Sequence, residues 1–186
     1  LGTGTTTINV TGTPASTWNA DIRWGSTSGA TTINIDAGST LIVAGHLGNL
    51  EGSQWGYLNL TGSGTLIMTD GTGSQNTPTI GPNATMQIGN GGTTGDLPNA
   101  AGAGGVTNNG TLSFNRSNAY TPIRAISGTG QVVQNGTGTV TLSQASTYTG
   151  ATVVNNGILK AGIASVANVS GAFGNNSAVT LANASG

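Results

Sequence analysis

The stretch GTGQVVQNGTGTVTLSQASTYTGATVVNNGILKAG, Gly128 to Gly162, decides the fold. It consists of short runs in which Val, Leu, Ile and Thr alternate, and a Gly-Thr or Asn-Gly pair stands before nearly every run. Alternation with period two predicts strands, and the Gly and Asn punctuation predicts tight turns. No segment of useful length shows a helical period.

The same phrase recurs outward from this stretch. A turn residue, a small residue and two apolar positions two apart stand at 38–43, 64–68, 83–88, 110–114, 138–142, 157–159 and 177–181. By position number, Leu41 to Leu66 is a step of 25, Leu66 to Met86 of 20, Met86 to Leu112 of 26 and Leu112 to Val132 of 20. Val140 to Leu159 is a step of 19, and Leu159 to Val179 of 20. A shorter step of 8 separates Ile33 from Leu41, Leu58 from Leu66 and Val132 from Val140. A recurrence of this length that holds only strands and turns predicts a solenoid. In it, each coil stacks on the last at about 4.8 Å, because one coil cannot bury its apolar face alone. The expected fold is an all-β, right-handed parallel β-helix of about eight coils, a rod roughly 40 Å long. A β-sandwich also has many short strands, but its Greek-key loops vary more in length than these steps do. The reading takes 1–186 as a single domain, with irregular coils and longer loops over 1–104 and the more regular repeat over 105–186.

Composition narrows the partners. Charged residues make up 5% of the 186, against roughly 25% in ordinary soluble domains. The net charge is -1, whereas disorder usually accompanies high net charge, so an ordered surface of Thr, Asn and Ser is expected. Arg23, Arg116, Arg124 and Lys160 are scattered, which argues against nucleic acid and against a polybasic membrane patch. There is no Cys, so no disulfide framework. No apolar run reaches the roughly 18 residues of a membrane helix. The chain begins at Leu1 with no signal peptide in view and reads as a piece of a mature protein.

Reactive side chains are few. His46 is the single histidine, so a Ser-His-Asp triad would have to use it, and no Gly-x-Ser-x-Gly elbow is present. The acids Asp21, Asp36, Glu51, Asp70 and Asp96 form no close pair in sequence, so no metal site is expected. Stacking of coils is the route by which Asp36 and Asp70 would meet as a glycosidase pair. The reading is of a protein that is not an enzyme, with no catalytic residues and no cofactor. The Gly-rich runs lack the Lys and the following helix of a phosphate loop and are read as turns.

Two aromatic clusters stand out. In WNADIRW, Trp18, Ala20, Ile22 and Trp24 are expected on one face of a strand, lining the core; an exposed pair stacking on sugars is the alternative. In HLGNLEGSQWGYLNL, inward Leu58 and Leu60 would turn Trp55, Tyr57 and Asn59 outward. This unit is about five residues longer than the short ones, and insertions in solenoids gather on one face, often the binding face. Aromatics dominate binding hot spots, so Glu51, Gln54, Trp55 and Tyr57 form the candidate ligand-binding set; packing of the aromatics under the loop is the alternative. The other long unit, Met86 to Leu112, reads as a flexible linker loop with few anchors. Phe114 and Phe173 are expected inside, Tyr148 packed at a corner, and Arg116 and Arg124 tying corners to backbone carbonyls.

From Asn109 to Gly186 the chain resembles the autotransporter-associated β-strand repeat of bacterial type V secreted proteins. The matching positions are Phe114, Arg116, Ser117, Ile126 to Gly130, Gly136 to Leu142, Thr147 to Gly150, Thr152, Val153 and Gly157 to Leu159. Gln134 departs from the pattern, which usually has Lys before the turn. The resemblance implies a right-handed parallel β-helix at the surface of a Gram-negative cell or outside it. It also implies a parent anchored by a C-terminal β-barrel that is absent here. The function implied is adhesion, by contact with a host surface protein, matrix or glycan, with possible self-association. A passive stalk that assists export and a glycan-acting β-helix enzyme are the other readings.

Overall fold

The chain winds through short strands joined at corners, and strands pair with their counterparts in neighbouring coils. The computed structural model describes residues 6–12, 15–19, 22–24, 30–49, 56–70, 76–97 and 104–182. Among them there is no helix, and every ladder between strands is parallel. The first sheet stacks six strands, Thr6–Val10, Ala30–Ile35, Gly56–Gly62, Asn76–Ile80, Val106–Asn108 and Ile126–Ser127. The second stacks eight, Ser16–Trp18, Thr40–Val43, Thr65–Met68, Thr85–Ile88, Thr111–Phe114, Gln131–Gln134, Thr152–Val154 and Val179–Leu181. The third face holds Ile22–Trp24 on Leu47–Asn49 and Thr139–Leu142 on Ile158–Ala161, with Tyr120 bridging Val140. This is a parallel β-helix.

The register explains the sequence steps. Leu41, Leu66, Met86, Leu112 and Val132 form one inward row, each in direct register with the next. Val43, Met68, Ile88, Phe114 and Gln134 form a second row two positions along. All but Gln134 are apolar, and every member is buried. Thr40, Thr65, Thr85 and Thr111 stack in register on the outward side of the same strands. Period two thus sorts methyl-rich side chains inward and hydroxyls outward. The step of 8 is a passage round a corner: Ile33 to Leu41 leads from the first sheet to the second, and Val132 to Val140 from the second to the third.

Three expectations need correction. Trp18 and Ile22 do not share a strand; the corner at residue 19 puts them on two faces, where Trp18 lies on Val43 and Ile22 on Leu47. Ile22 is buried, but Trp18 is 45% exposed and does not line the core. Val179 is stacked on Thr152 and not on Leu159, a step of 27 by position number. The cause is an excursion after Gly162 that pairs antiparallel with Ser146 through Gly171 and fills the place of a first-sheet strand. Gly89 to Leu97, expected to be loosely held, is fastened to the next coil, as described below.

Two of the buried polar positions carry amide side chains. Asn108 donates to Gln131 O at 2.8 Å, and Gln134 donates to Gly136 O at 2.9 Å and Gly138 O at 3.1 Å. Gln134 thus ties down the turn that follows its own strand, at the position where the resembling repeat has Lys. The glycines at the corners answer to close approach. A Cβ on Gly62, where φ is +85°, would stand 2.0 Å from Ile35 O.

Phe114→Ala is expected to lower stability by about 3–5 kcal/mol, since Phe114 is fully buried and in contact with two neighbouring coils. Gly62→Ala should destabilise through both φ and the clash with Ile35. Ile42→Ala, half-buried on the outward face, should cost less than Phe114→Ala. Urea unfolding of the three variants checks the order.

Candidate functional site

Tyr57 is the one member of the candidate set within the described residues. It is 53% exposed and points away from the core, while its neighbours Leu58 and Leu60 are fully buried, as the alternation requires. It lies in register between Ala30 and Thr77, both on the outward side of the first sheet. Glu51, Gln54 and Trp55 lie outside the described residues; in the chain they fall between the strands Leu47–Asn49 and Gly56–Gly62.

The groups considered for catalysis come from more than one corner of the coils. His46 is half-buried just before Leu47–Asn49, and its carbonyl accepts from Ile22 N at 2.7 Å. Asp36 follows the first-sheet strand Ala30–Ile35, and Asp70 follows the second-sheet strand Thr65–Met68. The two acids occupy corners at opposite ends of the second-sheet strands, so stacking does not pair them. Among the described residues no group of three or more His, Cys, Asp or Glu is placed to hold a metal.

The side-chain cluster that does form lies elsewhere. Tyr120 is buried; its hydroxyl donates to the Asp96 carboxylate and accepts from Leu97 N at 3.0 Å. The Arg116 guanidinium lies 4.5 Å from the centre of the Tyr120 ring, and the Phe114 ring is 5.9 Å away on the core side. Arg116 also donates to the carbonyls of Gly95 and Thr93 and to Asn118 Oδ1. Arg124 donates to Gly104 O, and burial lowers its pKa. The two arginines therefore fasten the ends of the longest surplus segment to the following coil, which bears out the corner-tying role expected for them.

A second cluster closes the last coils. Tyr148 is fully buried, and its hydroxyl is 2.7 Å from Thr152 Oγ1, which is 2.9 Å from Ser177 Oγ; Ser177 in turn donates to Gly150 O. Both clusters are structural. Neither presents a nucleophile, a general base or an acid pair to solvent. The sequence held one signal for the first: Asp96 and Tyr120 are separated by about one coil length, so a solenoid brings them side by side.

Burial, reinforced by the Asp96 carboxylate, holds the Tyr120 hydroxyl proton far above its ordinary value of 10.0. Above pH 10 the unfolded chain releases this proton and the folded chain keeps it. The contribution is therefore complete below 10 and declines as pH rises past it. Tyr120→Phe is expected to cost about 1–3 kcal/mol at neutral pH, because Leu97 N and Asp96 lose a partner. The same variant should fall off less steeply on the alkaline side. Stability measured by denaturant at neutral and strongly alkaline pH checks both.

Residues 132–161 match the passenger-associated-transport-repeat. No curated protein and no solved structure matches the chain. The matched segment begins within the second-sheet strand Gln131–Gln134 and takes in the turn held by Gln134, the Tyr148 corner and the strands as far as Ile158–Ala161. It thus spans more than one coil and lies inside the longer stretch that resembles autotransporter repeats. Such a repeat implies a secreted or surface-exposed protein of Gram-negative bacteria. Together, the match over 132–161 and the parallel coils on which it lies support an autotransporter passenger domain with repeats.

Proposed function

We propose that this chain is a non-enzymatic passenger module that makes adhesive contact with a host surface protein, matrix or glycan. The observation that carries the proposal is Tyr57, an aromatic ring turned out to solvent on a nearly uncharged rod and next in the chain to the residues of the longer unit. A rigid tyrosine gives contact area at small entropic cost, and an uncharged surface draws affinity from stacking and hydrogen bonds rather than from ion pairs. Glu51, Gln54 and Trp55 are proposed to complete the surface, since their place in the chain adjoins Tyr57.

A stalk is the second reading, favoured by the second sheet. Its continuous parallel pairing across eight strands is what a spacer needs. In that reading the repeat over 132–161 assists export and display, and the parent protein's contacts are made elsewhere.

The test is binding of the purified chain to arrays of glycans, matrix proteins and receptor ectodomains, with Tyr57→Ala and Trp55→Ala combined in a second sample. The adhesive reading expects saturable binding that the double variant weakens at least tenfold. Absence of binding across the arrays would favour the stalk, as would loss of surface display on deleting residues 109–186 from the parent.

A further inference from the structure

The chain contains four Asn-Gly pairs, Asn90-Gly91, Asn109-Gly110, Asn135-Gly136 and Asn156-Gly157. Such a pair is a latent electrophile and nucleophile, because the backbone nitrogen of the glycine can attack the side-chain amide carbon of the asparagine. The fold treats the four differently.

Three are restrained. Gly91 N is committed to Asn115 O at 2.8 Å. Gly136 N is committed to Phe114 O at 3.0 Å, and the Asn135 side chain is held from both ends, donating to Ser113 Oγ at 2.9 Å and accepting from Asn155 at 2.7 Å. The Asn109 side-chain oxygen accepts from Thr129 N at 3.2 Å, which anchors that amide to the next coil.

Asn156 is arranged otherwise. Gly157 N points at the oxygen of its own neighbour's side chain, Asn156 Oδ1, at 2.8 Å. The nitrogen is thereby held beside the amide whose carbon it would attack. Both residues are exposed, so water has access. Gly157 has φ +63°, and the absence of a Cβ leaves its nitrogen unhindered. The backbone of Asn156 is fixed by its own bond to Gln134 O at 3.3 Å, so the pair does not have to find this geometry by chance.

We propose that Asn156-Gly157 is a site of spontaneous covalent modification in the folded protein. Gly157 N forms a bond to Asn156 Cγ and loses its proton; the bond from Cγ to the side-chain nitrogen breaks, and ammonia leaves with that proton. The resulting five-membered imide takes up one water. Opening at Cγ gives aspartate with the chain path restored, and opening at the backbone carbonyl gives isoaspartate. The net change is one asparagine and one water to one acid and ammonia, with no oxidant or cofactor. The isoaspartate product lengthens the main chain by one methylene at the corner between Thr152–Val154 and Ile158–Ala161. The bond from Ile158 N to Gly138 O, 3.0 Å, starts immediately after that corner and is the first to be disturbed.

The test is incubation of the folded chain at mildly alkaline pH, followed by proteolysis and mass spectrometry of the peptides carrying the four pairs. A parallel sample is held unfolded in urea. The inference expects the peptide with Asn156 to gain the amide-to-acid mass change at least tenfold faster than the other three in the folded sample. In urea, where fold geometry is erased, the four rates should come within a few-fold of one another. Asn156→Gln, which lengthens the side chain and disfavours the five-membered ring, should abolish the change at 156 and leave the other three as they were. A folded-state rate at 156 no greater than at 90, 109 or 135 would overturn the inference, as would a faster reaction at 156 that persists unchanged in urea.

Discussion

No coil of this protein closes around a core of its own; everything depends on the parallel hydrogen-bonded contact between one coil and the next. A short strand has one or two inward side chains, far too little apolar area to offset the entropy of ordering it. Stacked in register, the same side chains become continuous rows, and each backbone group finds a partner above and below. The outward threonines follow from the same constraint, because a row of inward methyl-rich residues fixes which atoms remain outside. The glycines are also required by it. At the corners the neighbouring coil's backbone is so close that a Cβ has no room, as at Gly136, where it would stand 2.2 Å from Arg116 O.

Variation in coil length is accommodated without loss of register. Short and long coils are mixed along the second sheet, yet the inward rows continue through them. Where a surplus segment borders the core, as at Gly95 to Leu97, the fold secures it with Arg116, Asp96 and Tyr120. This division is what a passenger domain needs: a rod specified by repetition and a surface changed by interruption. An account of adhesion belongs to the interruptions, and an account of export and spacing to the rod.

Much of the rod is legible in the sequence, because period two and a recurrence at coil length are local signals. The row from Leu41 to Val132 can be written down by subtraction. Legibility ends where the repeat changes its hydrogen-bonding partner. Leu159 and Val179 have the expected spacing, but the excursion through Gly171 pairs antiparallel with Ser146 and sends Val179 onto Thr152 instead. No composition signal marks that switch. Trp18 and Ile22 mislead for a different reason: clean alternation continues through a corner, so periodicity alone cannot reveal the bend between them. Of the candidate contact residues, the outward direction of Tyr57 is legible from its buried neighbours Leu58 and Leu60. The Tyr120 cluster is harder to read, because Asp96 and Leu97 lie a coil away from Arg116 and Tyr120 and each looks ordinary in its own segment.

The central claim is the in-register parallel stacking of coils, and paired cysteines test it most directly, since the chain has none of its own. Thr85 and Thr111 are in register on adjacent coils. At a strand spacing of about 4.8 Å their Cα atoms fall within the range a disulfide bridges. Thr85 and Ser113 face the same side but are offset by two positions, which adds about 6–7 Å along the strand and exceeds that range. Under mild oxidation the account predicts that Thr85→Cys with Thr111→Cys closes a disulfide and that Thr85→Cys with Ser113→Cys does not. Closure of the offset pair in place of the in-register pair would contradict it.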